Sequence, residues 1–68
     1  MNEEIEKILS QHYLTAKDLM KIIPHLSYQR ALHYIEIARQ EMKKQNYFVP
    51  EGRTKVALTK IIREKFGF

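Results

Sequence analysis

The stretch YLTAKDLMKIIPHLSYQRALHYIEIARQEMKKQ, residues 13–45, carries two helical patterns that only four residues separate. The first pattern covers residues 13–23 and the second covers residues 28–45. Pro24 ends the first helix, because proline has no N–H and disfavours the helical conformation in the residue before it. Ser27 is a good N-cap for the second helix. Two helices joined by so short a turn predict a helix-turn-helix over residues 13–45.

The apolar residues of both helices recur at helical spacing, so each helix has one side that we expect to face the core. Thr15 and Asp18 have the spacing of a capping box, which starts the first of the two helices. The small side chains of Ala31 and Ala38 allow another helix to approach closely. The predicted core residues are Leu14, Leu19, Ile22 and Ile23 in the first helix and Ala31, Ile35, Ala38 and Met42 in the second, with Leu32 and Tyr34 beside them.

An additional helix is predicted before this motif, in residues 1–12. Asn2 is a good N-cap for it, and the acidic residues that follow suit the positive end of a helix dipole. Its apolar stripe is narrow and consists of Ile5, Ile8 and Leu9. We therefore expect this helix to pack on the rest of the domain without forming a core of its own.

The pattern changes in residues 46–56, after the second helix. Two short runs that favour β-structure, residues 47–49 and 54–56, flank a turn with proline and glycine, which predicts a β-hairpin. A last helix is predicted in residues 56–66. Residues 1–68 are thus expected to form a single domain that is mainly α with a short β-hairpin. The predicted fold is a winged helix-turn-helix of about four helices and two short strands.

The composition is that of a globular chain. Of its 68 residues, 44% are hydrophobic and 29% are charged, and so short a chain has a small core worth about 3–5 kcal/mol of net stability. The absence of cysteine excludes disulfides and thiolate zinc sites. Its apolar runs are too short to span a membrane, and its acidic start is the opposite of a signal peptide. No membrane partner is expected.

The formal charge of +4 is unevenly distributed along the chain. Residues 1–11 carry three glutamates against one lysine, whereas residues 47–68 carry five basic side chains against two acidic ones. Residues 28–46 carry four basic side chains against two acidic ones. A phosphate backbone is the commonest partner for such a positive field. The alternative is an ordinary solvated face rich in lysine.

Candidate catalytic and metal-binding residues are few. His12, His25 and His33 lack the spacing of metal ligands, and the glutamates at the chain start suit a helix N-terminus better than an acid–base pair. Two glycines in the whole chain cannot form a glycine-rich phosphate loop. We expect no enzymatic activity, no metal and no cofactor.

Short motifs along the chain match a known pattern. They are LTAKDLM at residues 14–20, Leu26-Ser27 in the turn, Asn46-Tyr47 and Gly52-Arg53 in the wing region, and Glu64-Lys65-Phe66 near the end. With these motifs, residues 13–68 resemble the small excisionase-like or MerR-like winged helix-turn-helix DNA-binding proteins of bacterial phages and integrative mobile elements. The chain differs at two places. Pro24 and His25 stand where the family usually has a turn with glycine, and Asn46 stands at another glycine position.

The resemblance implies sequence-specific binding of double-stranded DNA. In this family, such a protein acts either as an excisionase, also called a recombination directionality factor, or as a small transcriptional regulator. An integrase is a candidate partner, and so is a second copy of the chain in a homodimer or a cooperative array on DNA. The expected location is the cytoplasm of the bacterial host cell. Residues 1–11 lie outside the resemblance and are candidates for dimer contacts.

In a helix-turn-helix, the first turns of the second helix enter the major groove, where long polar side chains read base edges. Gln29, Arg30 and His33 are therefore expected nearest to bases. Arg30 also opposes the helix dipole, and such departures from local rules often mark functional positions. The remaining predicted DNA-binding residues are Lys17, Tyr28, Lys43 and Lys44 near phosphates, Arg53 on the wing, and Ser27 and Lys55.

A different class of function remains open, a small phage module that binds and modulates a host or phage protein. Its apolar anchors would be Tyr28, Tyr34, Ile37 and Phe68. Ile37 favours this interpretation, because it lies on the otherwise polar side of its helix. The same residue also suits a thymine methyl group or a dimer contact. Salt separates the two classes, because DNA binding weakens steeply with salt and an apolar interface does not.

Overall fold

The computed structural model of the chain describes residues 2–67. The helices are α1 (Asn2–Leu9), α2 (Ala16–Ile22), α3 (Tyr28–Lys44) and α4 (Thr59–Phe66), and the strands are β1 (Tyr13–Thr15) and β2 (Val56–Leu58). Over these residues the protein is mainly helical, with four helices and one two-stranded antiparallel sheet. This architecture is compatible with a small winged-helix fold and confirms the predicted fold class.

The two strands, however, are not those that the sequence predicted. β1 pairs with β2, so that Leu14 lies opposite Ala57. The predicted hairpin between residues 47–49 and 54–56 does not form, and residues 45–55 are a loop without regular structure, which we call the wing loop. The predicted first turn of the helix over residues 13–23 is strand β1 instead, and the last helix begins at Thr59 rather than at residue 56.

Burial explains why the distant strand is preferred over the local hairpin. Pairing β1 with β2 buries Leu14 and Ala57 completely, whereas Phe48 in the predicted hairpin strand leaves 77% of its surface exposed. Pro50 also has no N–H to donate to a ladder, so a local hairpin would lack a hydrogen bond next to its turn. The sheet therefore forms where its side chains reach the core.

The helix ends follow the capping residues seen in the sequence. The Thr15 hydroxyl accepts a hydrogen bond from the Asp18 N–H at 3.2 Å, and the Asp18 carboxylate accepts one from the Thr15 N–H at 3.0 Å, which confirms the capping box. Ser27 caps α3, because its hydroxyl accepts a hydrogen bond from the Arg30 N–H at 3.2 Å. The helix predicted over residues 1–12 is shorter and ends at Leu9.

The predicted side of α3 forms the centre of the core. Ala31, Ile35, Ala38 and Met42 are fully buried, and α2, β2 and α4 pack around them. α1 contributes Ile8 to this cluster. Ile22 and Ile23, which were predicted to be core residues, are only half-buried, because α2 ends there and the chain turns away.

Two residues other than glycine adopt the left-handed conformation. His25 has φ 64° in the turn between α2 and α3, and Asn46 has φ 63° just after α3. Two hydrogen bonds close the end of α3. The Tyr47 N–H donates to the Met42 carbonyl at 2.8 Å, and the Asn46 N–H donates to the Lys43 carbonyl at 3.1 Å. This is a Schellman motif. Glycine adopts this conformation without a steric penalty, which would account for the glycine that the resemblance implies at Asn46 and within the turn of Pro24 and His25.

Candidate nucleic-acid interface

The beginning of α3 projects its polar side chains into solvent. Gln29, Arg30 and His33 are all exposed, and they lie within the first two turns of the helix. Ser27 precedes them and uses its hydroxyl for the helix cap, so its role in the structure is to start α3. The side chains predicted to lie nearest to bases are thus accessible, while the opposite side of the same helix is fixed in the core.

A cleft lies beside this exposed turn, between the start of α2, one side of α3 and the end of the wing loop. It has a volume of about 370 Å³ and is lined by Lys17, Tyr28, Arg53 and Lys55 together with Leu32 and other residues. Tyr28 is 48% exposed there. The structure therefore brings together four of the residues that the sequence predicted for DNA binding, from three separate parts of the chain.

Glu36 also lines this cleft and was not among the predicted site residues. Its carboxylate lies 3.0 Å from the Lys55 ammonium group. The hydrogen bond from Lys55 lowers the pKa of Glu36 most, and the positive charges of Lys55, Arg39 and Lys43 lower it further. Lys55 is far from Glu36 in the sequence, so helical periodicity could place Glu36 on the polar side of α3 but could not identify its partner.

Arg39 holds the wing loop against α3. Its guanidinium group donates hydrogen bonds to the Pro50 carbonyl at 3.0 Å and to the Val56 carbonyl at 2.9 Å. It also lies 3.9 Å from the Glu36 carboxylate and 4.0 Å from that of Glu51. Only 8% of Arg39 is exposed. A planar group with several donors can hold two carbonyls at once, so Arg39 fixes the segment that carries Arg53.

Sequence reasoning treated Arg39 only as one more positive charge. A signal was present, because Arg39 directly follows buried Ala38 and lies four residues after buried Ile35, at the edge of the apolar side of α3. An arginine in that position needs acceptors for its guanidinium donors. The sequence could not show which acceptors these are, since Pro50 belongs to the wing loop and Val56 to β2, both far from Arg39 in the sequence.

Lys43 and Lys44 lie at the other end of α3. Both are exposed, and the rise of a helix places Lys44 about 20 Å along the axis from Arg30. Lys43 lies on the same side of α3 as Glu36, and its positive charge helps to lower the pKa of Glu36. Lys44 lies on the side of Glu41 instead. The structure therefore does not bring Lys44 to the cleft, although it was predicted to belong to the same interface.

The apolar anchors proposed for a protein partner do not form one surface in the part of the chain that the structure describes. Tyr28 lies in the cleft. Tyr34 packs on Phe66 of α4, with ring centroids 4.8 Å apart, on a different side of α3. Ile37 is half-buried. Phe68 lies outside the described residues.

Between residues 2 and 67, no group of three or more histidine or acidic side chains is placed so that it could hold a metal ion. Over the same part of the chain, no helix is both long enough and apolar enough to cross a membrane.

Comparison with models of protein families finds no match to this chain, and comparison with curated proteins and with solved structures finds none either. The arrangement of charged, polar and aromatic side chains around the start of α3 is therefore the structural basis for proposing a function.

Proposed function

We propose that this protein binds double-stranded DNA in a sequence-specific manner, with the first turns of α3 in the major groove. The observation that carries the proposal is the cleft, where Lys17, Tyr28, Arg53 and Lys55 gather beside the exposed start of α3. Polar side chains at the start of a helix can contact base edges in a groove. Cationic and phenolic groups beside them can contact the phosphates that border the groove.

The roles of the side chains follow from their chemistry. Arg30 can donate two hydrogen bonds to a guanine edge, and Gln29 can make a paired donor and acceptor contact with adenine. His33 lies one turn further along the same exposed side. Lys17 and Tyr28 are suited to phosphates, which fix the register of the protein on the duplex. Arg53, at the end of the wing loop, reaches a neighbouring phosphate or the minor groove.

We further propose that this DNA-binding protein belongs to a phage or integrative element and acts in the cytoplasm of the bacterial host. The resemblance of residues 13–68 to excisionase-like proteins supports this role. Two tasks are then possible, directing an integrase toward excision or controlling a promoter. Footprinting on the attachment site and on the promoter of the element separates them, because protection at the promoter alone, with excision unaffected, would contradict the excision role.

The first test is a titration of labelled duplex DNA at several salt concentrations. Because binding releases counterions from the phosphates, the affinity should fall steeply as salt increases. Lys17→Ala and Arg53→Ala should each weaken binding to all sequences and reduce the salt slope by about one. Lys60→Ala is the matched control, because it removes an exposed lysine from α4, outside the cleft.

The second test concerns sequence reading by Arg30. Once a preferred site has been selected from random duplexes, Arg30→Ala should cost about 1–3 kcal/mol at that site and relax the preference at one base pair. The Arg30→Ala protein should still bind duplex DNA at low salt, because the cationic residues of the cleft remain. The proposal is wrong if the wild-type protein fails to bind any duplex at low salt, or if its binding is insensitive to salt.

A further inference from the structure

A second and larger cavity lies on a different part of the surface. This groove has a volume of about 750 Å³ and lies between the end of α1, strand β1, helix α4 and the start of the wing loop. It shares no lining residue with the cleft. A ligand in this groove would therefore leave the proposed DNA-binding surface free.

Aromatic rings are concentrated around this groove. The rings that line it belong to His12, Tyr13, Tyr47 and Phe48. Phe48 is 77% exposed, more than any other large hydrophobic residue between residues 2 and 67, and Tyr47 next to it is also exposed. His12 and Tyr13 lie edge to face, with their ring centroids 4.8 Å apart. Ring faces that are open to solvent are surfaces on which a flat aromatic ligand can stack.

The walls of the groove are fixed to each other before any ligand binds. The Thr59 N–H donates to the His12 carbonyl at 3.0 Å, and the Thr59 hydroxyl donates to the Gln11 carbonyl. Both hydrogen bonds join the start of α4 to the segment between α1 and β1. Tyr13 also lies opposite Leu58 in the sheet. A preformed groove loses less entropy when a ligand binds.

Two cations of α4 line one side of the groove. Lys60 and Arg63 are exposed, and none of the ion pairs found among residues 2–67 involves either of them. Among the described residues that line the groove, Glu64 is the only acidic one, so the charged lining is positive overall. Unpaired cations beside open rings match a ligand in which aromatic rings alternate with negative charges.

We propose that the groove binds single-stranded nucleic acid. Unpaired bases stack on aromatic side chains while lysine and arginine contact the phosphates, so a single strand uses both features of the groove. Phe48 receives a base, and Lys60 and Arg63 contact the phosphates beside it. Duplex DNA suits the groove less, because its bases stack on one another. An acidic peptide would use the cations and leave the rings without partners.

Tryptophan fluorescence measures stacking directly, because the chain has no tryptophan of its own. A single-stranded thymidine oligonucleotide of about eight nucleotides should bind Phe48→Trp as tightly as the wild type and quench the new tryptophan. An abasic oligonucleotide of the same length carries the same phosphates without bases, and it should bind more weakly and cause no quenching. Met20→Trp is the matched control, because Met20 is exposed on α2 outside the groove, and its fluorescence should not change.

Fluorescence anisotropy of the labelled oligonucleotide measures the contribution of each side chain. Phe48→Leu keeps an apolar side chain but removes the ring, and it should weaken binding about fivefold or more. Lys60→Ala and Arg63→Ala should each reduce the salt slope by about 0.7, whereas Glu64→Gln should tighten binding. Lys21→Ala, which removes an exposed lysine of α2 outside both cavities, should behave as the wild type does.

The proposal is overturned if the abasic oligonucleotide binds as tightly as the thymidine oligonucleotide, or if Phe48→Leu binds as well as the wild type. It is also overturned if polyglutamate of equal charge displaces the oligonucleotide as well as an unlabelled single strand does. The groove would then hold an anion without stacking.

The groove and the cleft can fail independently. Lys17→Ala should weaken duplex binding and leave the single strand bound, whereas Phe48→Leu should do the reverse. Loss of the single strand in Lys17→Ala, with Phe48→Leu unaffected, would place the strand in the cleft and remove the groove as a site. A wild-type protein that binds the single strand through Phe48 but binds no duplex would keep the groove and remove the proposed function.

Discussion

His25 adopts the left-handed conformation in the turn between α2 and α3. This conformation costs a residue with a side chain about 1–2 kcal/mol, because Cβ approaches the following carbonyl oxygen. Glycine has no such penalty, although it loses more chain entropy on folding. The turn that sets the angle between α2 and α3 is thus formed against the local preference of its residue, and the packing of the two helices on each other outweighs this cost.

His25→Gly should therefore stabilise the protein by about 0.5–1 kcal/mol. Thermal unfolding followed by circular dichroism measures the effect, with His25→Val as the opposite control, because a β-branched side chain suits this conformation least. Asn46→Gly should stabilise less, since asparagine tolerates the left-handed region better. A lower melting temperature for His25→Gly than for the wild type would contradict the assignment of strain to this turn.

Glu36 is the acidic side chain of a cleft whose other charged residues are Lys17, Arg53 and Lys55. It holds Lys55 in an ion pair, and under the proposed function its negative charge would repel a phosphate. Glu36→Gln should therefore raise the affinity for all duplexes at low salt by about threefold to tenfold and steepen the salt slope by about one.

The matched control for Glu36→Gln is Glu41→Gln. Glu41 also pairs with a lysine of another element, Lys65 at 3.4 Å, but it lies outside the cleft. Screening beyond about 10 Å makes its effect on a distant phosphate small. If both variants change DNA affinity equally, the net charge of the protein matters and the position of Glu36 does not.

At the scale of elements, the wing loop has no ladder of hydrogen bonds; Val49 packs against the core, and Arg39 attaches the loop to α3. That single side chain connects α3 to the Pro50 carbonyl before the tip of the loop and to the Val56 carbonyl after it. The ion pair between Lys55 and Glu36 adds a weaker connection, because both side chains are substantially exposed. The position of Arg53 beside α2 and α3 consequently depends on a residue that cannot itself contact DNA.

Arg39→Met keeps the length and the apolar stem of the side chain but removes its donors. Leaving the two carbonyls without a partner should cost about 1–3 kcal/mol of stability. Hydrogen exchange of the amides in residues 51–55 should accelerate more than that of α3, and the salt slope of DNA binding should decrease. Lys21→Met, which removes an exposed cation of α2 outside the cleft, is the control. Unchanged exchange in residues 51–55 would show that other contacts hold the loop.

At the scale of the whole molecule, two glutamates of α3, Glu36 and Glu41, pair with lysines of other elements, and both pairs should make stability depend on acidity. Lys55 lowers the pKa of Glu36, and Gln45 and Lys65 lower that of Glu41. The unfolded chain then binds protons more readily than the folded one. The stabilisation is complete above the ordinary pKa of a glutamate and is lost as the pH falls through the lowered values.

Melting temperature should therefore decrease as the pH is lowered from about 6 to about 3, and the double variant Glu36→Gln, Glu41→Gln should show a shallower decrease. The effect is modest, because both carboxylates are in contact with solvent and water screens their ion pairs. Glu64→Gln, which removes a carboxylate outside these two contacts, should keep the slope of the wild type. Equal slopes for all three proteins would exclude Glu36 and Glu41 as the cause.

Local sequence information predicted the helices well. The capping pair Thr15 and Asp18, the cap Ser27 and the stop at Pro24 act within a few residues of one another, so the ends of α2 and α3 and the turn between them are visible in the sequence. The buried side of α3 follows from its periodicity in the same way. The exposed position of Gln29, Arg30 and His33 was predictable for the same reason, because a helix with one buried side exposes the other.

Contacts between distant parts of the chain were not predictable from such patterns. The apolar residues of β2 suit a hairpin strand as well as they suit a partner for β1, and only the burial of Leu14 and Ala57 in a common core decides between them. The hydrogen bonds of Arg39 to the carbonyls of Pro50 and Val56 also join segments that are far apart in the sequence. The same is true of the ion pair between Lys55 and Glu36. Lys44 was assigned to the interface from its charge, and its distance from the cleft became evident only from the direction of α3.

The sequence by itself determined the helix-turn-helix and the side chains that the start of α3 exposes, because capping and periodicity operate within one or two turns of the chain. The tertiary structure alone decided which strands pair and which residues surround the cleft. The physical reason is that these features arise from burial and from hydrogen bonds between segments that the sequence keeps apart. The turn at Pro24 and His25 depends on both local sequence and tertiary structure. Pro24 ends α2 locally, whereas the packing of α2 on α3 imposes the left-handed conformation of His25.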